Sequence, residues 1–200
     1  PKPMLLVKGK PMIQHIVERA ASENFEKVFI STHYLKDQIY DHFEDGKAFG
    51  VSIQYIEEKV PLDTGGSFSI LPVNDGPVVV TNTDVMTNLG YSKLLDFHRL
   101  HDAKITMAIR RHLIEHPYGV VKGDGLDFIG IEEKPVWPTD VNAGIYVLDM
   151  SVRNFFEKGK KITMPEIITR AKEKRKKVIL FPLHEECIDL GSVPEYNDMQ

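Results

Sequence analysis

The stretch PVVVTNTDV (77–85) joins an apolar run to a polar end. A run of this kind is typical of a strand that is buried on both faces in a parallel sheet. In open α/β sheets, ligands bind beyond the carboxyl ends of the strands. Asp84 follows the run directly and is therefore a candidate ligand-binding residue, although a carboxylate there can also simply form a turn.

Outward from this strand, apolar spacing predicts alternating strands and helices. Helices are expected near 11–23, 34–43, 94–98 and 164–174, and a hairpin around Asp124-Gly125. Strands are expected at 27–32, 51–57, 77–81, 105–109, 141–148 and 178–183. This order indicates one α/β domain over residues 1–200, with a mixed, mostly parallel sheet and helices on both faces.

The composition excludes several functional classes. A net charge of −4 argues against nucleic-acid binding, which usually needs a basic face. The chain has no apolar run near the roughly 18 residues of a membrane-spanning helix. The one cysteine, Cys187, rules out an internal disulfide and is compatible with a reducing cytoplasm.

Two further segments follow predicted strands. The loop PLDTGGS (61–67) comes after strand 51–57, and Asp189 lies in CIDLG (187–191). Two carboxylates at strand ends suit Mg²⁺, which commonly takes one or two carboxylates together with phosphate oxygens. By contrast, His98 lies on an apolar helical stripe, and we expect it to be a structural residue rather than a metal ligand.

Eight short motifs then occur in order: PKPML (1–5), GKPM (9–12), PLDTGG (61–66), NTDV (82–85), PYGVV (117–121), EEKP (132–135), VNAGIYV (141–147) and IDLG (188–191). Together they resemble the sugar-1-phosphate nucleotidyltransferases, and most closely the mannose-1-phosphate guanylyltransferase-like branch. The resemblance runs from Pro1 to about Tyr196. It implies a Rossmann-like, GT-A-like nucleotidyltransferase fold, with an NTP and a hexose 1-phosphate giving an NDP-sugar and pyrophosphate.

The resemblance also implies roles for individual residues. Lys2 would hold phosphate, and Asp84 and Asp189 would bind Mg²⁺; these three form the expected catalytic set. The sugar phosphate and sugar would contact Gly119, Glu133, Lys134 and Asn142. The nucleotide base and ribose would contact Leu62, Thr64, Gly65 and Gly66.

Three departures from the family pattern matter. The glycine-rich loop that precedes PKP in the family, with its strand, is absent, so we expect the 200-residue chain alone to be poorly active or inactive. Thr83 replaces the usual glycine before the metal aspartate. Asp63 replaces a glycine of the nucleotide loop. These features suggest part of a longer protein, in which regulatory domains could lie upstream.

The sequence is compatible with three functions. GTP and a mannose 1-phosphate-like sugar are favoured, in glycan or lipopolysaccharide biosynthesis in the cytoplasm. Thymidylyl or uridylyl transfer to glucose 1-phosphate is the alternative within the class. A non-catalytic, ligand-sensing domain is the alternative outside it. The expected partners are the NTP and the sugar 1-phosphate, without nucleic acid or membrane; related enzymes are often homo-oligomers.

Overall fold

The computed structural model describes residues 2–33, 36–72, 76–185 and 187–189. The helices are α1 (Met12–Ser22), α2 (Lys36–Phe43), α3 (Asp63–Gly66), α4 (Tyr91–Leu100) and α5 (Met164–Glu173). The strands are β1 (Leu6–Val7), β2 (Lys10–Pro11), β3 (Lys27–Thr32), β4 (Ser52–Glu57), β5 (Val78–Thr81), β6 (Val85–Thr87), β7 (Ile105–Glu115), β8 (Val120–Asp124), β9 (Asp127–Glu132), β10 (Val136–Leu148), β11 (Val178–Pro182) and β12 (Cys187–Asp189). Short 3₁₀ turns cover Lys2–Met4, Lys47–Phe49, Ser67–Ile70 and Met150–Phe155.

Four strands form the main sheet in the order β11-β7-β10-β5. β11 runs parallel to β7, whereas β10 runs antiparallel to both of its neighbours, β7 and β5. β3 and β4 form a separate parallel pair, and β8 and β9 form the predicted hairpin. The mixed α/β architecture expected from the sequence is confirmed.

Alternation along β10 places one helix on each face of this sheet. Ile145 and Val147 pack in the cluster that contains Leu94 of α4, whereas Tyr146 and Leu148 pack in the cluster that contains Ile167 of α5. Leu94, Ile145, Leu148 and Ile167 are fully buried, and each contributes about 2 kcal/mol of hydrophobic stabilisation. The two faces of β10 therefore join the two halves of the core.

Several boundaries differ from the sequence prediction. The strands expected at 105–109 and 141–148 extend to Glu115 and back to Val136, because the two pair with each other along an exposed ladder. Part of the loop expected at 61–67 forms α3. The first two residues of the helix predicted at 34–43, Tyr34 and Leu35, lie outside the described residues.

Candidate active site

The turn after β5 carries the first candidate group. Asn82, Thr83 and Asp84 connect β5 to β6, and the Nζ atom of Lys2 lies 2.8 Å from Oδ2 of Asp84. The two side chains keep 43% and 26% of their surface exposed, so the pair is open to solvent. An exposed pair of this kind stabilises a fold by about 1 kcal/mol at most, and it can therefore exchange for a ligand at low cost.

Asp189 lies on the strand next to this turn. β12 pairs antiparallel with β6, and Asp189 is opposite Val85, the residue that follows Asp84. The backbones of both predicted metal ligands therefore lie beside each other, while the side chain of Asp189 falls outside what the structure describes. Within the described part of the chain, no group of three His, Cys, Asp or Glu side chains forms a metal cluster.

The VNAG segment packs directly on the same turn. The Asn82 N–H donates to the Gly144 carbonyl at 2.9 Å. Gly144 has φ of +72°, and a Cβ atom there would lie 2.9 Å from Nδ2 of Asn82. Only glycine combines this backbone conformation with so close an approach. The VNAG glycine therefore holds the turn that carries Asp84.

Asn142 is fixed within β10 by two hydrogen bonds. Its Oδ1 accepts from the Gly144 N–H at 3.0 Å, and its Nδ2 donates to the Tyr146 hydroxyl at 2.5 Å. Burial raises the pKa of Tyr146, so its hydroxyl stays neutral near pH 7. The ladder to β7 changes register between Asn142 and Tyr146, as it does at a β-bulge.

A second group of candidate residues lies next to the hairpin of β8 and β9. A Cβ atom on Gly119 would lie 2.8 Å from Oε2 of Glu133, so the two residues are in close contact. Lys134 is exposed and has φ of +42°, just before the buried Pro135. The structure thus brings Gly119 to Glu133, which precedes Lys134 in the chain. Among the described residues, no hydrogen bond or ion pair is recorded between this group and Lys2 or Asp84.

The predicted nucleotide loop is held by packing. Leu62 is buried, and its N–H donates to Oε2 of Glu58 at 2.9 Å. A Cβ atom on Gly65 would lie 2.5 Å from Cδ1 of Ile167, and one on Gly66 would lie 2.8 Å from the Lys160 carbonyl. Both glycines are therefore needed for close packing against the segment that leads into α5.

Thr64 and Asp63 complete this loop. The Thr64 hydroxyl accepts the Met164 N–H at 3.0 Å, at the start of α5. Asp63 has φ of +61°, in the left-handed region, and its Oδ2 lies 3.4 Å from Nζ of Lys161. Left-handed backbone favours glycine, so the structure supplies a physical reason for the glycine that the family resemblance places here.

One cavity of about 560 Å³ joins the loop to the Asp84 turn. Its polar lining includes Glu58, Asp63, Thr64, Thr83 and Asp84. The structure therefore brings the predicted nucleotide loop and the predicted metal aspartate to the same cavity.

Sequence reasoning missed three residues of this region. Asn82 contacts Gly144, Tyr146 positions Asn142, and Glu58 holds the loop through Leu62. Asn82 and Tyr146 lie inside the motifs NTDV and VNAGIYV, so the motifs could have identified them as candidate site residues. The role of Glu58 had no comparable signal, because it depends on a tertiary contact.

The chain is similar to known proteins along its whole length. The family described as Nucleotidyl transferase matches residues 1–200. A mannose-1-phosphate guanylyltransferase of Mycobacterium tuberculosis is 33% identical over 171 residues, covering 82% of this chain and 47% of that protein. A D-glycero-alpha-D-manno-heptose 1-phosphate guanylyltransferase of Campylobacter jejuni is 30% identical over 199 residues, covering 98% of this chain and 86% of that protein.

Solved structures show the same fold. HddC from Yersinia pseudotuberculosis superposes with a TM-score of 0.76 at 21% identity, covering all of this chain and 88% of that one. This chain spans 46–47% of the length of some curated relatives, including a mannose-1-phosphate guanyltransferase of Gibberella zeae. Among the described residues, no helix has both the length and the apolar character needed to cross a bilayer.

Proposed function

Because the chain belongs to the Nucleotidyl transferase family, we propose that the whole protein makes an NDP-sugar and pyrophosphate from an NTP and a hexose 1-phosphate. A phosphate oxygen of the sugar 1-phosphate forms a bond to the α-phosphorus, and the bond to the leaving pyrophosphate breaks. The observation that supports this most directly is the exposed Lys2–Asp84 pair at the end of β5, held by Gly144.

Such a reaction needs positioning and charge neutralisation more than a protein nucleophile. We assign Lys2 and Lys134 to the phosphates, and Glu133, Gly119 and Asn142 to the sugar. Leu62, Thr64, Gly65 and Gly66 form the loop assigned to the nucleotide.

The oxygen ligands near the turn suit a hard divalent cation. We propose that Asp84 and Asp189 hold Mg²⁺, which fits the partly exposed carboxylate of Asp84 and the pairing of β12 with β6. When bound, the ion neutralises phosphate charge. Lys2, whose Nζ atom lies 2.8 Å from Oδ2 of Asp84, would contact the phosphates beside such an ion.

For the substrates we favour GTP and a mannose-type sugar 1-phosphate, for glycan or lipopolysaccharide biosynthesis in the cytoplasm. Two relatives named as guanylyltransferases of manno-configured sugar phosphates support this choice. A UTP–glucose-1-phosphate uridylyltransferase of Synechocystis keeps uridylyl transfer as the alternative. Exposed apolar side chains on β8 and β9, including Val121, Phe128 and Ile131, offer a surface for a homo-oligomer.

The test is an assay of the full-length protein with Mg²⁺, each NTP and a panel of sugar 1-phosphates, following pyrophosphate. We expect turnover with GTP and a manno-configured sugar. Asp84→Asn should lower kcat by about 100-fold or more while changing stability by less than about 1 kcal/mol. Absence of turnover with every pair would favour the non-catalytic alternative, and an unchanged rate in Asp84→Asn would refute the metal assignment.

A further inference from the structure

The segment KEKRKK (172–177) forms a basic surface at the end of α5. It contains five cations and one carboxylate, a net charge of +4, whereas the whole chain carries −4. All six residues are exposed. Among the described residues, no salt bridge joins any of the five cations to a carboxylate. The basic surface therefore presents a concentrated and unpaired positive charge to the solvent.

Helix stability accounts for only part of this charge. Cations near a helix C-terminus complement its dipole, but the effect is confined to the last turn, which includes Lys172. Arg175 follows the helix with φ of +56°, and its N–H donates to the Lys172 carbonyl at 2.8 Å. Glycine is the usual residue at such a left-handed helix end, because a side chain there costs stability. Stability therefore explains neither the arginine nor the two lysines that follow it.

The basic surface lies at the opposite end of the sheet from the candidate site. β5, β7 and β11 run in the same direction, because β10 is antiparallel to β5 and β7, and β11 is parallel to β7. Asp84 follows the carboxyl end of β5, whereas Lys177 precedes the amino end of β11. At about 3.3 Å per residue, strands of this length separate the two ends by roughly 15 Å. A partner on the basic surface would therefore leave the cavity beside Asp84 open.

An exposed apolar side chain lies at the same end of the sheet as the basic surface. The N–H of Lys104, the residue before β7, donates to the Lys177 carbonyl at 2.8 Å. Lys104 follows the short turn after α4, and Leu100, the last residue of α4, is 80% exposed. By contrast, no Phe, Tyr or Trp between residues 149 and 182 is exposed. This end of the sheet thus combines clustered cations with an exposed leucine.

These features fit an anionic bilayer surface better than a nucleic acid. Anionic lipid headgroups attract clusters of about four to eight Lys or Arg residues, and a leucine beside such a cluster can enter the boundary between headgroups and acyl chains. Single-stranded nucleic acid instead stacks its bases on exposed aromatic rings, which residues 149–182 do not provide. We propose that the basic surface, together with Leu100, attaches the protein peripherally to an anionic membrane. The expectation of no membrane partner rested on membrane-spanning runs, which peripheral attachment does not need.

The test is sedimentation of the full-length protein with vesicles of phosphatidylglycerol and phosphatidylcholine in equal parts. Each Lys or Arg at an anionic surface strengthens attachment by about 5-fold, so vesicles of pure phosphatidylcholine should bind at least about 100-fold more weakly. Raising the salt from about 0.1 M to about 1 M shortens the Debye length from about 10 Å to about 3 Å, and binding to the anionic vesicles should be lost.

Charge reversals locate the contact on the protein. Lys172→Glu/Lys176→Glu should weaken binding to the anionic vesicles by at least about 25-fold. The matched control, Lys47→Glu/Lys93→Glu, changes the net charge equally at lysines that are 86% and 74% exposed elsewhere in the fold. It should weaken binding by less than about 3-fold, because charges beyond the Debye length are largely screened. Leu100→Gln should weaken binding by about 5-fold, because it removes the apolar contact and keeps a good helix former.

Equal losses in the two double variants would assign the binding to total charge and overturn the proposal. Failure to sediment with anionic vesicles, or equal sedimentation with pure phosphatidylcholine, would overturn it as well. Tighter binding to a single-stranded RNA oligonucleotide at the same salt, lost in Lys172→Glu/Lys176→Glu, would assign the basic surface to nucleic acid instead. An unchanged affinity in Leu100→Gln would refute the role of the leucine. The readout does not depend on turnover, so failure of membrane attachment is distinguishable from failure of the proposed reaction.

Discussion

Replacing Gly144 by alanine should damage both stability and the candidate site. Left-handed backbone, here φ of +72°, costs an alanine about 1–2 kcal/mol. The added Cβ atom would lie 2.9 Å from Nδ2 of Asn82 and 3.0 Å from Cγ2 of Val85, and crowding of this kind costs about 1–3 kcal/mol more. We therefore expect a loss of about 3 kcal/mol. For a chain of this size, that loss lowers Tm by about 6–12 °C.

Alanine variants of two other glycines distinguish the cost of left-handed backbone from the cost of steric crowding. Gly159 has φ of +70°, but a Cβ atom there would meet only Ile70, at 3.9 Å, so Gly159→Ala should lose about 1–2 kcal/mol. Gly130 has no atom within 4 Å and no left-handed φ, so Gly130→Ala should stay within about 0.5 kcal/mol of the unmodified chain. Thermal and urea unfolding, followed by far-UV circular dichroism, measures all three variants.

The decisive comparison is between Gly144→Ala and Gly159→Ala. If they lose the same stability, the contact with Asn82 is not tight, and Gly144 does not hold the Asp84 turn. In the full-length protein, Gly144→Ala should also lower kcat by at least about 10-fold, since a shift of about 1 Å at a reacting group has effects of this size or larger.

Two further predictions concern stability outside the site. Desolvation lowers the pKa of the buried His98 below its ordinary value of 6.5, so the unfolded state takes up a proton first, and stability should fall as the pH drops below about 6.5. Urea midpoints at pH 7.5 and 5.5 should show a smaller drop for His98→Gln than for the unmodified chain, and equal drops would contradict this cause. Thr163→Ala should lose about 1 kcal/mol, because it removes the capping box with Glu166 at the start of α5. Thr169→Ala, which removes an exposed hydroxyl from the same helix, should lose less than half as much in the same urea unfolding measurement.

The sequence predicted the strands and helices that carry a regular pattern of buried apolar side chains. The strand predicted at 141–148 contains the apolar inner half of β10, residues 145–148, whose two faces meet different clusters. The outer half, from Val136, is exposed and contains Pro138, so no apolar alternation marked it. The extension of β7 to Glu115 was missed for the same reason.

The sequence likewise predicted some features of the candidate site and missed others. Motif resemblance located Lys2 and Asp84, which the structure joins in one ion pair. It gave no indication that Asn82 packs against Gly144, because that contact depends on the register between β5 and β10. It also assigned Gly65 and Gly66 to nucleotide binding, whereas their contacts here explain both glycines by packing alone. The nucleotide role of that loop remains a prediction.

Asp63 is one of the three departures from the family pattern, and its surroundings weaken the non-catalytic alternative. The residue keeps the left-handed backbone that suits glycine, and aspartate is one of the few other residues that adopt it readily. Thr64 still accepts the Met164 N–H, and both following glycines still pack closely. Lys161 lies 3.4 Å from this carboxylate and offsets part of its charge. The substitution therefore preserves the shape of the loop and changes its electrostatics only modestly, which is compatible with an active enzyme.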